Sequence, residues 1–272
     1  SRDRIEALTV EDVVRVSGKY FRQSSRTLGE YVPTEKPERA EIPAVADLGP
    51  VFKTYTGKAA MAQGEVFDVT PKNIDARTSR SALSSGMKLA LLPKKNRGET
   101  LQVALMLKYG TEKTLNGQRA AGDFAGRMLL RGTKTKTRQQ VKDALDQLKA
   151  QVRVQPGPTG LTVTIEVRRP QLQATLDLVG ECLKSPAFDA KEFEQLRREV
   201  LASAEQKKDD PMAIGQIGLQ RALSPFQTKG HPLYVPSLPE IIADATALKL
   251  EEAKAFHAKF YGAQAGYLAA VG

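Results

Sequence analysis

Apolar and polar positions follow a regular order from residue 78 onward. Three short apolar runs come first, SRSALSS, MKLALLP and ETLQVALMLKYG, and their turn-rich boundaries predict three strands. The segments SSG and KKNRG between them predict two successive hairpins. Two later runs, AQVRVQP and LTVTIEVRR, meet at a PGPTG turn, and Val163, Ile165 and Val167 alternate onto one face of the second. This alternation predicts a sheet with one face against helices.

A second set of segments repeats its apolar residues at helical spacing. Helices are predicted over 118–130, 137–150, 170–184, 189–208, 211–223 and 248–261, with Thr137 as an N-cap and a closing strand after the last helix. Strands open and close this region without strict strand–helix alternation. The sequence therefore predicts an α+β fold, a largely antiparallel sheet of about five to six strands with helices packed mainly on one face.

Two distant segments resemble each other within the chain. Residues 8–21, LTVEDVVRVSGKYF, match residues 248–261, LKLEEAKAFHAKFY, and both end in an aromatic pair followed by a strand-like piece, RTLGEYVP or AGYLAAVG. A duplicated structural unit explains the shared helix, aromatics and strand. The alternative is two unrelated helices whose acidic starts and basic ends are favoured by the helix dipole.

The segment between these copies has a different composition. Residues 33–77 are rich in proline, glycine, alanine and charge without a sustained period, which predicts an extended connector. The predicted organisation is the C-terminal tail of a preceding homologous domain, helix and strand, over 1–32, an interdomain linker over 33–77, and one domain over 78–272.

Composition limits the possible function classes. The 272 residues are 41% hydrophobic, enough for a substantial core, and the net charge of +10 is scattered along the chain. Cys182 is the single cysteine, so an intrachain disulfide or a cysteine metal cluster is excluded, and a core position is expected. No apolar run is long enough for a membrane span, and the first residues do not resemble a signal peptide. We expect a fragment of a longer polypeptide.

A group of motifs carries a family resemblance. The run LKYGT, the helix GDFAGRMLLRGT leading into KTKT, the segment FEQLRREVLASAEQKKDDP, then HPLYVPS and KAFHAKFYG together resemble the pitrilysin or insulinase-like inverted zinc metallopeptidases. The resemblance covers nearly all of residues 78–272. It implies a metallopeptidase-like fold with ferredoxin-like duplication.

Active members of that family carry H-x-x-E-H ahead of the R-G-T turn. The two histidines lie on one helical face and bind zinc, and the glutamate acts as general base on the metal-bound water. Aligned on this pattern, the motif positions are occupied by Asp123, Gly126 and Arg127, and the third-ligand position falls at about Ser203, beside Ala202. The resemblance thus implies a degenerate, inactive peptidase domain without a zinc ligand set, because glycine has no carboxylate and arginine brings a fixed positive charge.

Several side chains near the motif have weaker candidate roles. Asp123 and Arg127 are four residues apart, so we predict an ion pair across one helical turn, although both charges could instead be simply solvated. A basic group could hold acidic or extended peptides, or could be only the solvated start of a helix; it comprises Arg131, Lys134, Lys136 and Arg138. His231 is expected to be a turn or packing residue, and His257 a surface or half-buried one.

The resemblance also implies a function for the chain. In that family two homologous halves enclose a chamber, and one half carries zinc. This chain is expected to be a non-catalytic wall of the chamber, with zinc in the absent half, a peptide or unfolded protein as substrate, and that zinc-bearing half as partner. The alternative is an assembly module without a proteolytic role.

Two further expectations concern partners and location. Nucleic acid is not expected as a partner, because the predicted strands carry almost no aromatic residue apart from Tyr109. The parent is expected to be a zinc metalloendopeptidase, in the periplasm or cell envelope if it carries a signal peptide.

Overall fold

A computed structural model describes residues 8–30, 33, 53 and 63–272. Its contacts divide the chain into two compact units, Ser1–Lys58 and Ala59–Gly272. The sheet, the core and the motif helix all belong to the second unit.

The first unit contains one α-helix among its described residues, α1 (Val10–Tyr20). Thr9 and Asp12 form a capping box at its start, and none of its residues is buried. A short 3-10 turn, Gln23–Ser25, follows. The predicted strand after this helix is absent from residues 26–30, and residues 31 and 32 lie outside the described residues. A strand needs a hydrogen-bonded neighbour, and the described part of this unit offers none.

The second unit is built on one six-stranded sheet. Its spatial order is β1-β2-β6-β3-β5-β4, and every pair is antiparallel except the parallel pair of β2 and β6. The predicted α+β fold and largely antiparallel sheet are confirmed. The strands are β1 (Ser79–Ala82), β2 (Lys88–Leu92), β3 (Thr100–Lys108), β4 (Gln151–Pro156), β5 (Gly160–Arg168) and β6 (Gly266–Val271).

Only one of the two predicted hairpins at the start of this sheet forms. β1 and β2 pair around Gly86, whose φ of 90° is the left-handed conformation that glycine adopts without a steric penalty. The second hairpin, at KKNRG, is wrong. β6 lies between β2 and β3, so the 3-10 turn Arg97–Glu99 belongs to a connection that passes an intervening strand.

The predicted helices of the second unit all form. Thr137 caps α5 as predicted, in a capping box with Gln140, and Asp189 caps α7 by accepting from two backbone N–H groups. Three further helices, α2, α3 and α9, were not predicted. The helices are α2 (Pro71–Arg77), α3 (Glu112–Leu115), α4 (Arg119–Met128), α5 (Arg138–Gln147), α6 (Leu172–Lys184), α7 (Ala190–Lys207), α8 (Pro211–Leu223), α9 (Leu238–Ala247) and α10 (Leu250–Phe260).

The predicted extended connector is partly helical. α2 occupies its last seven residues, and Thr70 caps the helix by accepting from the N–H of Asn73. Arg77 bonds Glu65 at 2.8 Å and lies over the ring of Phe67. The proline at the first helical position favours this start, so the extended interpretation is wrong for these residues. Residues 34–52 and 54–62 lie outside the described residues.

The core lies between one face of the sheet and the helices. Val163, Ile165 and Val167 are buried on that face, as the alternation predicts. Cys182 is also buried, and this burial raises the pKa of its thiol to about 11. The cysteine therefore has the expected core position and stays protonated at neutral pH.

α1 and α10 match in their bounds when one is shifted by 240 positions. α10 buries Ala253, Phe256 and Phe260, and the residues at the matching positions of α1 are exposed valine, valine and tyrosine. Both helices thus form as the internal similarity predicts. A common origin of the two segments stays a prediction.

Candidate functional site

The three motif positions lie on α4, whose buried face includes Phe124, Ala125 and Met128. Arg127 Nε lies 3.0 Å from Asp123 Oδ2, and about half of the Arg127 side chain is exposed. The predicted ion pair is confirmed. Because both groups are partly solvated, it stabilises the helix by only about 0.2–0.5 kcal/mol.

Gly126 is buried against the turn between β4 and β5. A Cβ atom added there would lie 2.6 Å from Pro156 Cβ and 3.3 Å from Leu161 Cδ1. Real Cβ atoms do not approach other carbon atoms so closely. At this position the close contact with Pro156 leaves room for hydrogen only.

A cleft of about 210 Å³ opens beside Asp123 and Arg127. Its walls come from α4, the β4–β5 turn, α7 and α9. They are mostly apolar, with two aspartates and two arginines. The lining comprises Arg119, Ala120, Asp123, Phe124, Arg127, Pro156, Gly157, Pro158, Val200, Pro236, Ile241, Asp244 and Ala245.

Arg119 fixes one end of this cleft. Its Nη1 donates to the carbonyl oxygen of Tyr234 at 3.0 Å, and so ties α4 to the loop before α9. A neighbouring depression of about 310 Å³ shares Arg119 and Asp244 with the cleft. The two spaces therefore adjoin along α4. The cleft residues on α9 were not foreseen, because the sequence analysis predicted no helix there.

Ser203 is not brought to the cleft. It is exposed on α7 and lines a separate shallow groove with residues at the end of that helix, Gln206, Lys207, Asp209 and Asp210. The α7 residue that faces the cleft is Val200, one turn earlier. An aliphatic side chain thus stands opposite Asp123.

Three of the four basic candidates are engaged by acidic partners. Arg131 bonds both Glu192, at 3.2 Å, and Glu199. Arg138 bonds Glu192 at 3.2 Å. These pairs join the end of α4 and the start of α5 to α7, so this charge is largely neutralised within the fold.

Glu181 of α6 organises the turn that follows α4. It accepts hydrogen bonds from the hydroxyls of Thr133 and Thr135, each at 2.5 Å, and from Lys136 at 2.7 Å. The Lys136 bond, followed by those of the two threonines, lowers the pKa of Glu181 to about 2. Of the basic group, Lys134 alone has no carboxylate partner within the described part of the chain.

Two phenols, the buried Tyr109 and the partly buried Tyr261, pack beside Phe256 of α10. The Tyr109 hydroxyl donates to that of Tyr261 at 3.0 Å. Burial raises the pKa of Tyr109 to about 12 and raises that of Tyr261 further. Both stay neutral and contribute to packing around α10.

The two histidines have structural contacts. His231 stacks on Phe226 at 4.2 Å and accepts the N–H of Leu233 at 3.1 Å, which confirms its turn role. His257 is half-buried and bonds the carbonyl of Leu183 at 2.8 Å. Burial lowers the pKa of His257, so it is neutral at pH 7.

Comparison with protein families identifies the chain. Residues 89–237 match the insulinase family, peptidase family M16, over more than half of the sequence. The chain belongs to the M16 family. A search of the curated proteins returned no match.

Solved structures share the fold of this M16 chain. A peptidase M16 inactive domain from Pseudomonas fluorescens is 20% identical with a TM-score of 0.61, covering 72% of this chain and 46% of that one. A Helicobacter pylori protease is 15% identical with a TM-score of 0.60, covering 71% and 45%. The first half of a periplasmic protease from Escherichia coli is 13% identical with a TM-score of 0.57, covering 72% and 42%. This chain spans about half the length of each.

Zinc, the usual metal of the M16 family, does not fit the residues at this site. A catalytic zinc ion takes three protein ligands. Of the motif positions only Asp123 offers an oxygen, which is held by the Arg127 guanidinium, and Val200 offers no donor on the opposite wall. Among the described residues, no group of three or more His, Cys, Asp or Glu could hold a metal ion.

A membrane-spanning helix is both long and apolar. None of the helices that the structure describes is long and apolar enough to cross a bilayer.

Proposed function

We propose that this chain is a non-catalytic M16 domain whose cleft holds a segment of an extended peptide. The observation that carries the proposal is the replacement of the metal site by an apolar cleft at the same positions. Pro156 packs against Gly126 so closely that no side chain fits there. Asp123 and Arg127 form an ion pair, and the cleft lies beside them. The helix has kept its place in the fold while its chemistry has changed.

The cleft suits one or two side chains. Its volume of about 210 Å³ lies below the range of about 300–1,000 Å³ for sites that enclose drug-sized ligands. Phe124, Val200 and Ile241 present apolar surface inside it, so an aliphatic or aromatic side chain is the expected occupant. Arg119 and Asp244 can bond the neighbouring peptide groups.

The sheet offers a second means of holding a peptide. β4 is the last strand in the sheet order and has a neighbour on one side only among the described residues. It ends at Pro156, which lines the cleft. An extended segment pairing with this open edge would therefore run toward the apolar space.

The parent protein is proposed to supply the catalysis. The matched part of this chain covers less than half of each solved relative, and one is described as the first half of a periplasmic protease. A homologous zinc-bearing half is the proposed partner, with this chain forming part of the wall of the substrate chamber. A periplasmic or cell-envelope location accords with this proposal.

The exposed apolar face of α1 supports the proposed organisation of the parent. Val13 and Val16 are 56% and 42% exposed, whereas their counterparts in α10 are buried. A preceding homologous domain that ends in residues 1–32 would cover this face in the way that α4 covers α10.

The test is the binding of a labelled, unstructured peptide with one phenylalanine, measured by fluorescence anisotropy on the full chain. Val200→Arg places a long charged side chain in the cleft, and we expect about tenfold weaker binding. Ser203→Arg, on the exposed side of the same helix, is the matched control and should bind the peptide as tightly as the unsubstituted chain. Equal affinity for the two variants, with both folded by circular dichroism, would exclude the cleft as the peptide site.

An assembly module is the second candidate function, and α8 favours it. This helix has no buried residue, and Met212, Leu219 and Leu223 are at least 60% exposed. Exposed apolar patches of this kind mark interaction surfaces. Loss of partner association in Leu219→Asp, with no peptide binding in any variant, would favour assembly over peptide holding.

A further inference from the structure

The face of the sheet away from the core carries an exposed aromatic residue. Tyr267 on β6 is paired with Lys88 on β2 and with Met106 on β3, so these three side chains form one row across adjacent strands. Met106 is 49% exposed and Tyr267 is 37% exposed. The row thus joins apolar and cationic surface.

Two lysines share the Tyr267 ring. Lys88 Nζ lies 5.5 Å and Lys108 Nζ 5.2 Å from its centroid, within the range of a cation–π contact. Within residues 63–272, no carboxylate forms an ion pair with either lysine. Lys136 and Arg131, by contrast, are bound to glutamates of their own unit. The sheet lysines therefore have charge available to an external anion.

The next row of the same face is formed by three alanines. Ala90, Ala269 and Ala104 are paired across β2, β6 and β3. Beyond them, Leu92 and Val271 are paired in the following row. Small side chains between two rows of larger ones form a shallow apolar trough next to the lysines.

We propose that this face binds an acidic peptide segment. A carboxylate would lie between Lys88 and Lys108, and an apolar side chain one or two residues away would rest in the alanine trough against Met106 and Tyr267. Charge complementarity selects the acidic partner, and the trough selects a neighbouring aliphatic residue. Glu166 lies opposite Gln102 at the far end of the face and leaves the lysines available.

A single-stranded nucleic acid fits the same surface less well. Such ligands need successive aromatic platforms and a basic groove that follows the backbone. This row presents one aromatic side chain, and alanines occupy the next positions. The acidic peptide uses both features of the surface, whereas a nucleic acid uses only the charge.

The proposal is independent of the cleft. No residue of the Tyr267 row or of the alanine trough lines it. Failure of one proposal does not affect the other.

The experiment measures the affinity of the full chain for an unstructured peptide with a leucine followed by two glutamates. Lys88→Glu with Lys108→Glu should weaken binding about tenfold or more, and Tyr267→Ala should also weaken it. Lys191→Glu makes a charge reversal on an exposed lysine elsewhere and should have little effect. Lys88→Met with Lys108→Met keeps the aliphatic stems if the charge reversals impair folding.

The outcomes separate the ligand classes. Weaker binding in the Lys88 and Lys108 variants but not in Lys191→Glu supports the site. No binding of the acidic peptide by the unsubstituted chain, or equal binding by all variants, overturns the proposal. Tighter binding of an oligothymidylate that displaces the peptide also overturns it, in favour of a nucleic-acid surface.

Discussion

Gly126 shows how a neighbouring turn can restrict one helical position to glycine. In the interior of a helix, glycine costs about 0.5–1 kcal/mol relative to alanine, so an unconstrained helical glycine gains stability on replacement. Gly126 is constrained by Pro156 at 2.6 Å from an added Cβ. Contact with the β4–β5 turn therefore outweighs helix propensity here.

We predict that Gly126→Ala lowers the free energy of unfolding by about 1–2 kcal/mol, because overpacking exceeds the gain in propensity. Gly180→Ala on α6, where an added Cβ meets nothing within 4 Å, is the matched control and should be neutral or stabilising. Urea midpoints of the two variants provide the measurement. A Gly126→Ala chain as stable as the control would contradict the packing explanation.

The ease of predicting each contact depended on its distance along the chain. Asp123 and Arg127 are one helical turn apart, so spacing alone predicted their pair. The partners of Arg131, Glu192 and Glu199, come from a helix about sixty residues later. Sequence periodicity shows which residues are charged and which face they share, but not which distant helix lies opposite.

At the level of elements, the turn after α4 depends on one carboxylate of α6. Glu181 accepts from Thr133, Thr135 and Lys136, and its pKa is about 2 instead of the ordinary 4.5. A lowered folded-state pKa means that the stabilisation is complete above pH 4.5 and is lost as the pH falls toward about 2. The position of the turn is thus sensitive to acid.

We predict that Glu181→Gln lowers stability at about pH 7 and loses most of this difference only at about pH 2, because the folded carboxylate of the unsubstituted chain becomes protonated there. Urea unfolding at both pH values provides the measurement. Glu166→Gln, which removes an exposed carboxylate on β5, is the control for a general charge effect. A constant difference in the free energy of unfolding between the unsubstituted chain and Glu181→Gln across this pH range would show that the carboxylate charge is not the stabilising feature.

The elements themselves were predicted well where their signals are local. Thr137 and Asp189 cap helices at the predicted starts, and the strands of the central sheet have the predicted alternation. The order of the strands was not accessible, because β6 enters between β2 and β3 from the far end of the chain. α9 was missed although Ser237 and Glu240 have capping-box spacing.

At the scale of the whole molecule, the poor fit to zinc involves more than the three motif positions. α7 presents Val200 to the cleft, the β4–β5 turn blocks Gly126, and Ser203 faces elsewhere. A zinc site requires all of these elements to supply or admit ligands together. Restoring the motif on α4 alone does not restore that arrangement.

We predict that the triple variant Asp123→His, Gly126→Glu and Arg127→His does not bind zinc stoichiometrically, because the third ligand is missing and the new glutamate collides with Pro156. Zinc content after dialysis against a weak chelator provides the measurement. Asp123→His with Arg127→His alone is the control that avoids the collision. One tightly bound zinc per triple-variant chain would show that the surrounding elements still form a metal site.

The position of β6 also affects how the domain folds. Its neighbours in the sheet, β2 and β3, precede it by more than 150 residues, and without it the strands separate into a pair and a triplet. Pairings between residues so far apart carry a large entropic cost and slow folding. A nascent chain that has not yet released this strand from the ribosome therefore exposes two unfinished sheet edges, and chaperone contact is most needed at that stage of synthesis.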